Sequence, residues 1–229
     1  MVLEGNQRAP LTSYAGTSAV FQGSRVYATS GDNGALSVFD PDTLAMTDSF
    51  GLHDARWVDV NDGKVVVVQG TPGQISVYDE ATMALENVFP FEGANVAESK
   101  STVQVIGGKA IIAAGDNGVQ VLSLATGNVL GYVPLPNPAD LGLDPSVVVT
   151  NAVSAEGDLL FISNGEAGVY VAQSDTAFDQ DWGESPQTIT VLGKLRFSAL
   201  QSVNHVAYKD GLLIVASGLG GLKVVRLSY

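Results

Sequence analysis

Residues 205–228 read HVAYKDGLLIVASGLGGLKVVRLS, and three strands follow from that order of residues. His205 to Lys209 is a short run with alternating apolar positions, and Asp210-Gly211 breaks it with two turn residues. Leu212 to Ala216 is apolar and rich in β-branched side chains, so it reads as a strand covered on both faces. Gly218 and Gly221 then reverse the chain into LKVVRL, where polarity alternates again.

The same register recurs upstream. A single glycine stands at 23, 63, 108, 157 and 211, and seven or eight residues later comes a glycine pair spaced by three: Gly31/Gly34, Gly70/Gly73, Gly115/Gly118, Gly165/Gly168 and Gly218/Gly221. The loops Asp32-Asn33 and Asp116-Asn117 suit a two-residue hairpin, in which the central residues take positive φ. Asp79 to Val88, DEATMALENV, has helical composition but stands where the preceding repeat has DPDTLAMTDS, so a turn and an outer strand are expected. Successive single glycines lie 40, 45, 49 and 54 residues apart. A unit of about 40 residues holding four strands is the signature of a propeller blade. The expected fold is all-β, a five-bladed β-propeller of four-stranded antiparallel blades in one domain. The blades fall near residues 13–52, 53–92, 98–136, 147–196 and 200–229, with residues 1–12 supplying the last outer strand and closing the ring.

Units of this form, best seen in residues 205–228, resemble the YVTN/LVIVP-type β-propeller repeats of bacterial and archaeal surface proteins. The resemblance spans nearly the whole chain and implies the fold and an extracytoplasmic setting. Its motif is structural and transfers no catalytic residue.

Composition narrows the function. The formal charge of −13 repels nucleic acid and anionic bilayers. With no cysteine there is no disulfide, thiolate metal site or thiol nucleophile. Apolar runs such as Ala110 to Ala114 are far below the ~20 residues of a membrane helix, so no membrane insertion is expected. Residues 1–20 lack a basic region followed by an apolar one, so either there is no export signal or the sequence is a mature or trimmed form beginning at an added methionine. Sparse lysine, the acidic balance and polar glycine-rich turns suit a bacterial exterior: extracellular, cell-surface or periplasmic. A monomer is expected.

The innermost strands align by counting back from each single glycine. Two rows are nearly apolar and should pack between blades: Val20, Val60, Val105, Ser154, Tyr208, and Ser18, Val58, Val103, Ala152, Val206. Two are more polar and should approach the channel: Thr17, Trp57, Thr102, Asn151, His205, and Ala19, Asp59, Gln104, Val153, Ala207. The ligand-contact candidates on this rim are His53, Arg56, Trp57, Asp59, Asn151, Asn204 and His205. Trp57 offers a stacking face and its neighbours hydrogen bonds, which suits a protein or a saccharide. Non-catalytic recognition is the preferred reading.

The competing class is a glycoside hydrolase, which needs two carboxyl groups. Asp59 is the channel rows' only acid, so the second would come from a join, at Asp54, Glu98, Asp140 or Asp144. A lectin with one pocket per blade is disfavoured because no aromatic-polar pair recurs in all units. Two histidines cannot build a histidine metal cluster. The insertion 134–149 stands where it could lid the channel mouth. The insertion 173–187 sets Asp175, Asp179, Asp181 and Glu184 beside Phe178 and Trp182, hard oxygens that suit calcium but without the EF-hand spacing. No cofactor is otherwise implied.

Overall fold

The computed structural model describes residues 8–11, 15–31, 33–95 and 99–227. Its strands form five antiparallel sheets. Blade one holds β1 (Gly16–Gln22), β2 (Arg25–Ser30), β3 (Asn33–Phe39) and β4 (Met46–His53). Blade two holds β5 (Ala55–Asn61), β6 (Lys64–Gln69), β7 (Gln74–Asp79) and β8 (Leu85–Pro90). Blade three holds β9 (Val103–Ile106), β10 (Lys109–Ala113), β11 (Val119–Ser123) and β12 (Val129–Val133), and blade four β13 (Ala152–Glu156), β14 (Leu159–Ser163), β15 (Val169–Ser174) and β16 (Ile189–Leu195). Blade five holds β17 (His205–Lys209), β18 (Leu212–Ala216) and β19 (Leu222–Arg226). Within each blade, sequential strands pair as neighbours.

The single repeat glycines turn the first hairpin of every blade, with φ of 59°, 72°, 71°, 59° and 80° at Gly23, Gly63, Gly108, Gly157 and Gly211. An L side chain adopts that region only at a cost, so glycine recurs there. The second hairpin differs from expectation. In blade three, positive φ falls on Gly115 and Gly118 rather than on Asp116 and Asn117 between them, and Ala114 N–H donates to Gly118 O at 2.8 Å. Asp32 lies outside the described residues. The stretch 79–88 is a turn entering β8: Asp79 Oδ1 accepts from Thr82 N at 2.9 Å and Thr82 Oγ1 at 2.7 Å, which caps the turn and holds the Asp79 carboxyl below the ordinary range. A short helix, α1 (Pro138–Leu141), was not foreseen in the insertion 134–149; Asn137 caps it, accepting from Ala139 N at 3.1 Å.

Because each blade is apolar on both faces, it must be covered twice. Four interblade cores result. Tyr27, Leu36 and Val38 meet Val65, Val67 and Tyr78 between blades one and two, and Val66, Val68, Ile75 and Val77 meet Val105, Ala110 and Ile112 between two and three. Ile111, Val119 and Val121 meet Val153, Leu160 and Ile162 between three and four, and Phe161 and Val169 meet Val206, Leu213 and Val215 between four and five. The two apolar rows of the inner strands pack in these cores, as their polarity requires: Val58, Val60, Val103, Val105, Ala152 and Val206 are all buried.

The expected closure of the ring by residues 1–12 is not seen among the described residues. Among the described residues β19 has no fourth strand beside it; residues 8–11 form no strand, and the remainder of 1–12, apart from these, lies outside the described residues. The face of blade five turned away from blade four exposes Ile214 at 43%, Leu222 at 71% and Val224 at 62%, whereas the matching Val66, Ile75 and Val77 of blade two are at 0%. Ile111→Ala should therefore destabilise the protein by about 2–5 kcal/mol through lost contacts and a cavity, and Ile214→Ala by less than about 1 kcal/mol. Urea unfolding of the two variants measures that contrast.

Candidate functional site

The rim where the inner strands begin collects most of the expected residues. Trp57 on β5 and His205 on β17 come together from blades two and five, with ring centroids 5.4 Å apart and planes tilted by 30°. Burial pushes the His205 imidazole below its usual pKa, so it is neutral near pH 7 and presents one donor and one acceptor. Arg56 is locked in place. Its Nε and one terminal nitrogen donate to Asp54 Oδ1 and Oδ2 at 3.0 and 2.9 Å, and the other donates to Ser99 O at 2.8 Å. The guanidinium lies against Gly70, where a Cβ would collide with it, which explains the glycine of that repeat.

Two clefts open here and share Lys100. The larger, of about 430 Å³, is lined by Thr17, Asp54, Arg56, Trp57, Ser99 and Lys100. The smaller, of about 230 Å³, is lined by Lys100, Val147, Asn151, Glu166, Ser202 and Asn204. Asn151 is only 4% exposed; its Nδ2 donates to Val203 O at 3.3 Å, and its Oδ1 has no hydrogen-bond partner among the described residues. Thr102 Oγ1, from the same row, is likewise buried and unpartnered. A buried acceptor without a donor costs free energy unless something supplies one. Ser146, Val147 and Val149 bring the insertion 134–149 to the border of the smaller cleft. His53, by contrast, ends β4 exposed and lines neither cleft. Lys100 and Ser202 were not singled out in the sequence; Lys100 is legible only by standing two residues before Thr102 in a chain with few cations.

Asp59 lies deeper on β5. Its Oδ2 accepts the Val105 backbone N–H of the next blade at 2.7 Å, and burial holds its carboxyl above the ordinary range against that bond. Comparable latches cross the other interfaces. Ser18 Oγ accepts from Val58 N at 3.4 Å, Gln104 Oε1 from Ala155 N at 2.6 Å, and Ser154 Oγ from Tyr208 N at 2.9 Å. Asp59 and Gln104 thus reach sideways to the next blade. Of the joins' acids, Asp54 is paired with Arg56, Asp144 accepts from Ser146 N and Oγ at 2.8 and 2.7 Å, and Glu98 lies outside the described residues.

In the insertion 173–187, Phe178 and Trp182 are buried in the core between blades three and four. Lys109 Nζ sits 5.0 Å from the Trp182 ring centroid and donates to Gly107 O and Gln180 O at 2.6 and 2.8 Å. Burial pushes the Lys109 pKa down, and the charges of Asp181, Asp62 and Asp179 oppose that shift. Glu184 turns to Ser123 Oγ and Thr126 Oγ1 at 2.8 and 2.6 Å. Among the described residues no three histidine or carboxylate ligands gather. Among the described residues no helix is long and apolar enough to cross a membrane.

No protein-family model and no curated protein matches the chain. Solved structures do. U3-55K is 14% identical with a TM-score of 0.68, over 93% of this chain and 68% of its own. BamB from Moraxella catarrhalis is 14% identical at 0.64, over 95% and 59%, and the computationally designed Ika4 protein is 16% identical at 0.53, over 76% and 91%. The fold is a β-propeller. The propeller chain spans less than two thirds of BamB's length.

The propeller's inner latches make Asp59 testable. Its folded pKa is raised above the unfolded value, so the folded state takes up a proton first as pH falls. Its burial cost is present at neutral pH and disappears as pH falls through the folded pKa toward the ordinary 3.8. Asp59→Asn keeps an acceptor for Val105 and should equal or exceed the wild type in stability at pH 7, with a flatter profile over that acid window. Asp59→Ala should cost about 1–3 kcal/mol. Denaturation midpoints from pH 7 to 4 read both.

Proposed function

We propose that this propeller is a non-catalytic recognition scaffold of the bacterial cell exterior, and that it takes a segment of a protein partner across the two rim clefts. The observation that carries this reading is the buried, donor-seeking Asn151 Oδ1 in a cleft shared with Lys100. An extended peptide supplies N–H groups to such an acceptor and carbonyls to such an ammonium, and Trp57 with His205 gives an adjacent face for an apolar side chain. Arg56, tied to Asp54 and Ser99, serves as a rigid wall. The exterior setting is supported by the acidic, cysteine-free composition and by the repeat resemblance.

Two observations weigh against hydrolysis. Asp59 is engaged by the Val105 N–H, and Asp54, in the join that enters β5, is neutralised by Arg56. A saccharide is the second reading, because hydroxyls can also serve both Asn151 and Lys100 beside an aromatic face. Parallel screening of a displayed peptide library and a glycan array separates the two. The expected result is a peptide hit that Lys100→Glu weakens at least tenfold and Trp57→Ala about 30-fold, near 2 kcal/mol, while Asp59→Asn binds as the wild type does. A glycan hit alone, or a hydrolytic activity abolished by Asp59→Asn, would refute the peptide reading.

A further inference from the structure

One row of the repeat carries no polar atom in any blade but the first. The opening hairpins pair Gln22 with Arg25, Asn61 with Lys64, Ile106 with Lys109, Glu156 with Leu159 and Lys209 with Leu212. Two residues beyond each second partner stand Tyr27, Val66, Ile111, Phe161 and Ile214. Phe161, fully buried, shows that a phenyl ring fills this place without a hydroxyl. Tyr27 is fully buried too, in the core between blades one and two, yet its Oη has no hydrogen-bond partner among the described residues. A buried hydroxyl left in that state costs free energy unless a group from outside reaches it. Tyr27 borders a cleft of about 340 Å³ between the first hairpin of blade one, with Ser24 and Arg25, and the turn of blade two, with Asp79 and Glu80. Gly63, just past the far end of β5, also lines it, so the cleft opens on the rim opposite Trp57.

The charges around the cleft select its ligand. Arg25 Nη1 and Nη2 donate to Glu80 O and Ala81 O at 2.6 and 3.3 Å, which clamps the guanidinium between the blades and leaves it N–H groups to spare. Among the described residues Arg25 pairs with no carboxylate, unlike Lys64 in the same register, which meets Glu86 and Asp79. A cationic ligand would face Arg25, and an anionic one would face the Asp79 and Glu80 carboxylates in a chain of charge −13. What remains is a neutral molecule whose groups both donate and accept. Hydroxyls on adjacent carbons do both, and they can span a guanidinium and a carboxylate. Asp79 is committed to Thr82 in its own turn, so the acceptor open to such a ligand is Glu80. We propose that this cleft binds a neutral polyhydroxylated ligand, a single monosaccharide unit, with Tyr27 Oη, Arg25 and Glu80 as its partners. The site is separate from the rim clefts and does not depend on what they bind.

Ligand-observed NMR titration of the full chain with glucose, galactose and mannose, and with glucuronate as the anionic control, tests the inference. At least one neutral hexose is expected to bind saturably in the millimolar range, and glucuronate at least about tenfold more weakly. Tyr27→Phe and Arg25→Lys should each weaken the hexose about tenfold or more, and Trp57→Ala, on the other rim, should leave it unchanged. Without sugar, Tyr27→Phe should melt roughly 2 °C or more above the wild type, because it removes an unpaired buried hydroxyl. That second reading guards against a variant that merely misfolds. Absence of saturable binding by all three hexoses would assign the hydroxyl to an ordered water and overturn the inference. Binding that survives Tyr27→Phe, or a preference for glucuronate, would overturn it too. So would a Tyr27→Phe protein that melts below the wild type, by showing the hydroxyl paired inside the fold. A hexose lost in Trp57→Ala and kept in Tyr27→Phe would belong to the rim and count against this cleft.

Discussion

The constraint beneath the whole structure is that a four-stranded sheet apolar on both faces cannot stand in water. Each blade solves it by lending one face to the blade before and one to the blade after, so stability is a property of interfaces more than of blades. Burying a valine or isoleucine side chain contributes about 1.5–3 kcal/mol, and Val66, Val68, Ile75 and Val77 all belong to the core between blades two and three. Apolar packing alone does not fix how far one blade slides along the next. The inner-strand latches do that, because a hydrogen bond from Val105 N to Asp59, or from Ala155 N to Gln104, has one geometry. The latch also satisfies inner-strand backbone that would otherwise be left unpaired at a sheet edge.

The fold was legible because its signal is periodic and its physics local. Positive φ at Gly23, Gly63, Gly108, Gly157 and Gly211 is a requirement of one residue at one turn, and a sequence records such requirements directly. Apolar character on both sides of β6 and β10 is equally direct. The second hairpin was less so: glycine, asparagine and aspartate all tolerate positive φ, and their order does not say which carries it. In blade three the flanking Gly115 and Gly118 do, and Asp116 instead accepts from Asn95 N and Nδ2 at 2.8 and 3.0 Å.

The site was legible in part, for a different reason. Counting back from the glycines placed Trp57, Thr102, Asn151 and His205 in one row, and the structure brings them to one rim. Row membership gives a side chain's height on the strand; what that side chain meets depends on neighbouring blades. Asp59 and Gln104 shared the channel row in sequence yet turn to the next blade's backbone, since a donor 2.6–2.7 Å away is worth more to a half-buried acceptor than an open channel. Lys100 belongs to no row, being in a join, and joins carry no period to read. The acids of residues 173–187 illustrate the same limit: oxygen ligands in sequence suggested a cation, and the cation facing them, Lys109, comes from a strand of the preceding blade.

These observations separate two kinds of surface on one molecule. The rim is polar, irregular and built from joins, which is where loops on a rigid scaffold acquire specificity. Arg56, held by three hydrogen bonds, and Trp57, packed against the core between blades two and three, cannot easily rearrange, so a ligand there meets a preformed wall and loses little free energy to ordering it. The open face of blade five is apolar, regular and inherited from the repeat. It carries the same apolar row as the other interblade faces, and among the described residues that row is exposed. A repeat that is apolar on both sides always leaves two such faces at its ends, and each must be shielded, by a cap or by association. In this chain blade one's outward residues are buried and blade five's are not. Among the described residues the two ends of the array thus differ in how far their outward rows are covered.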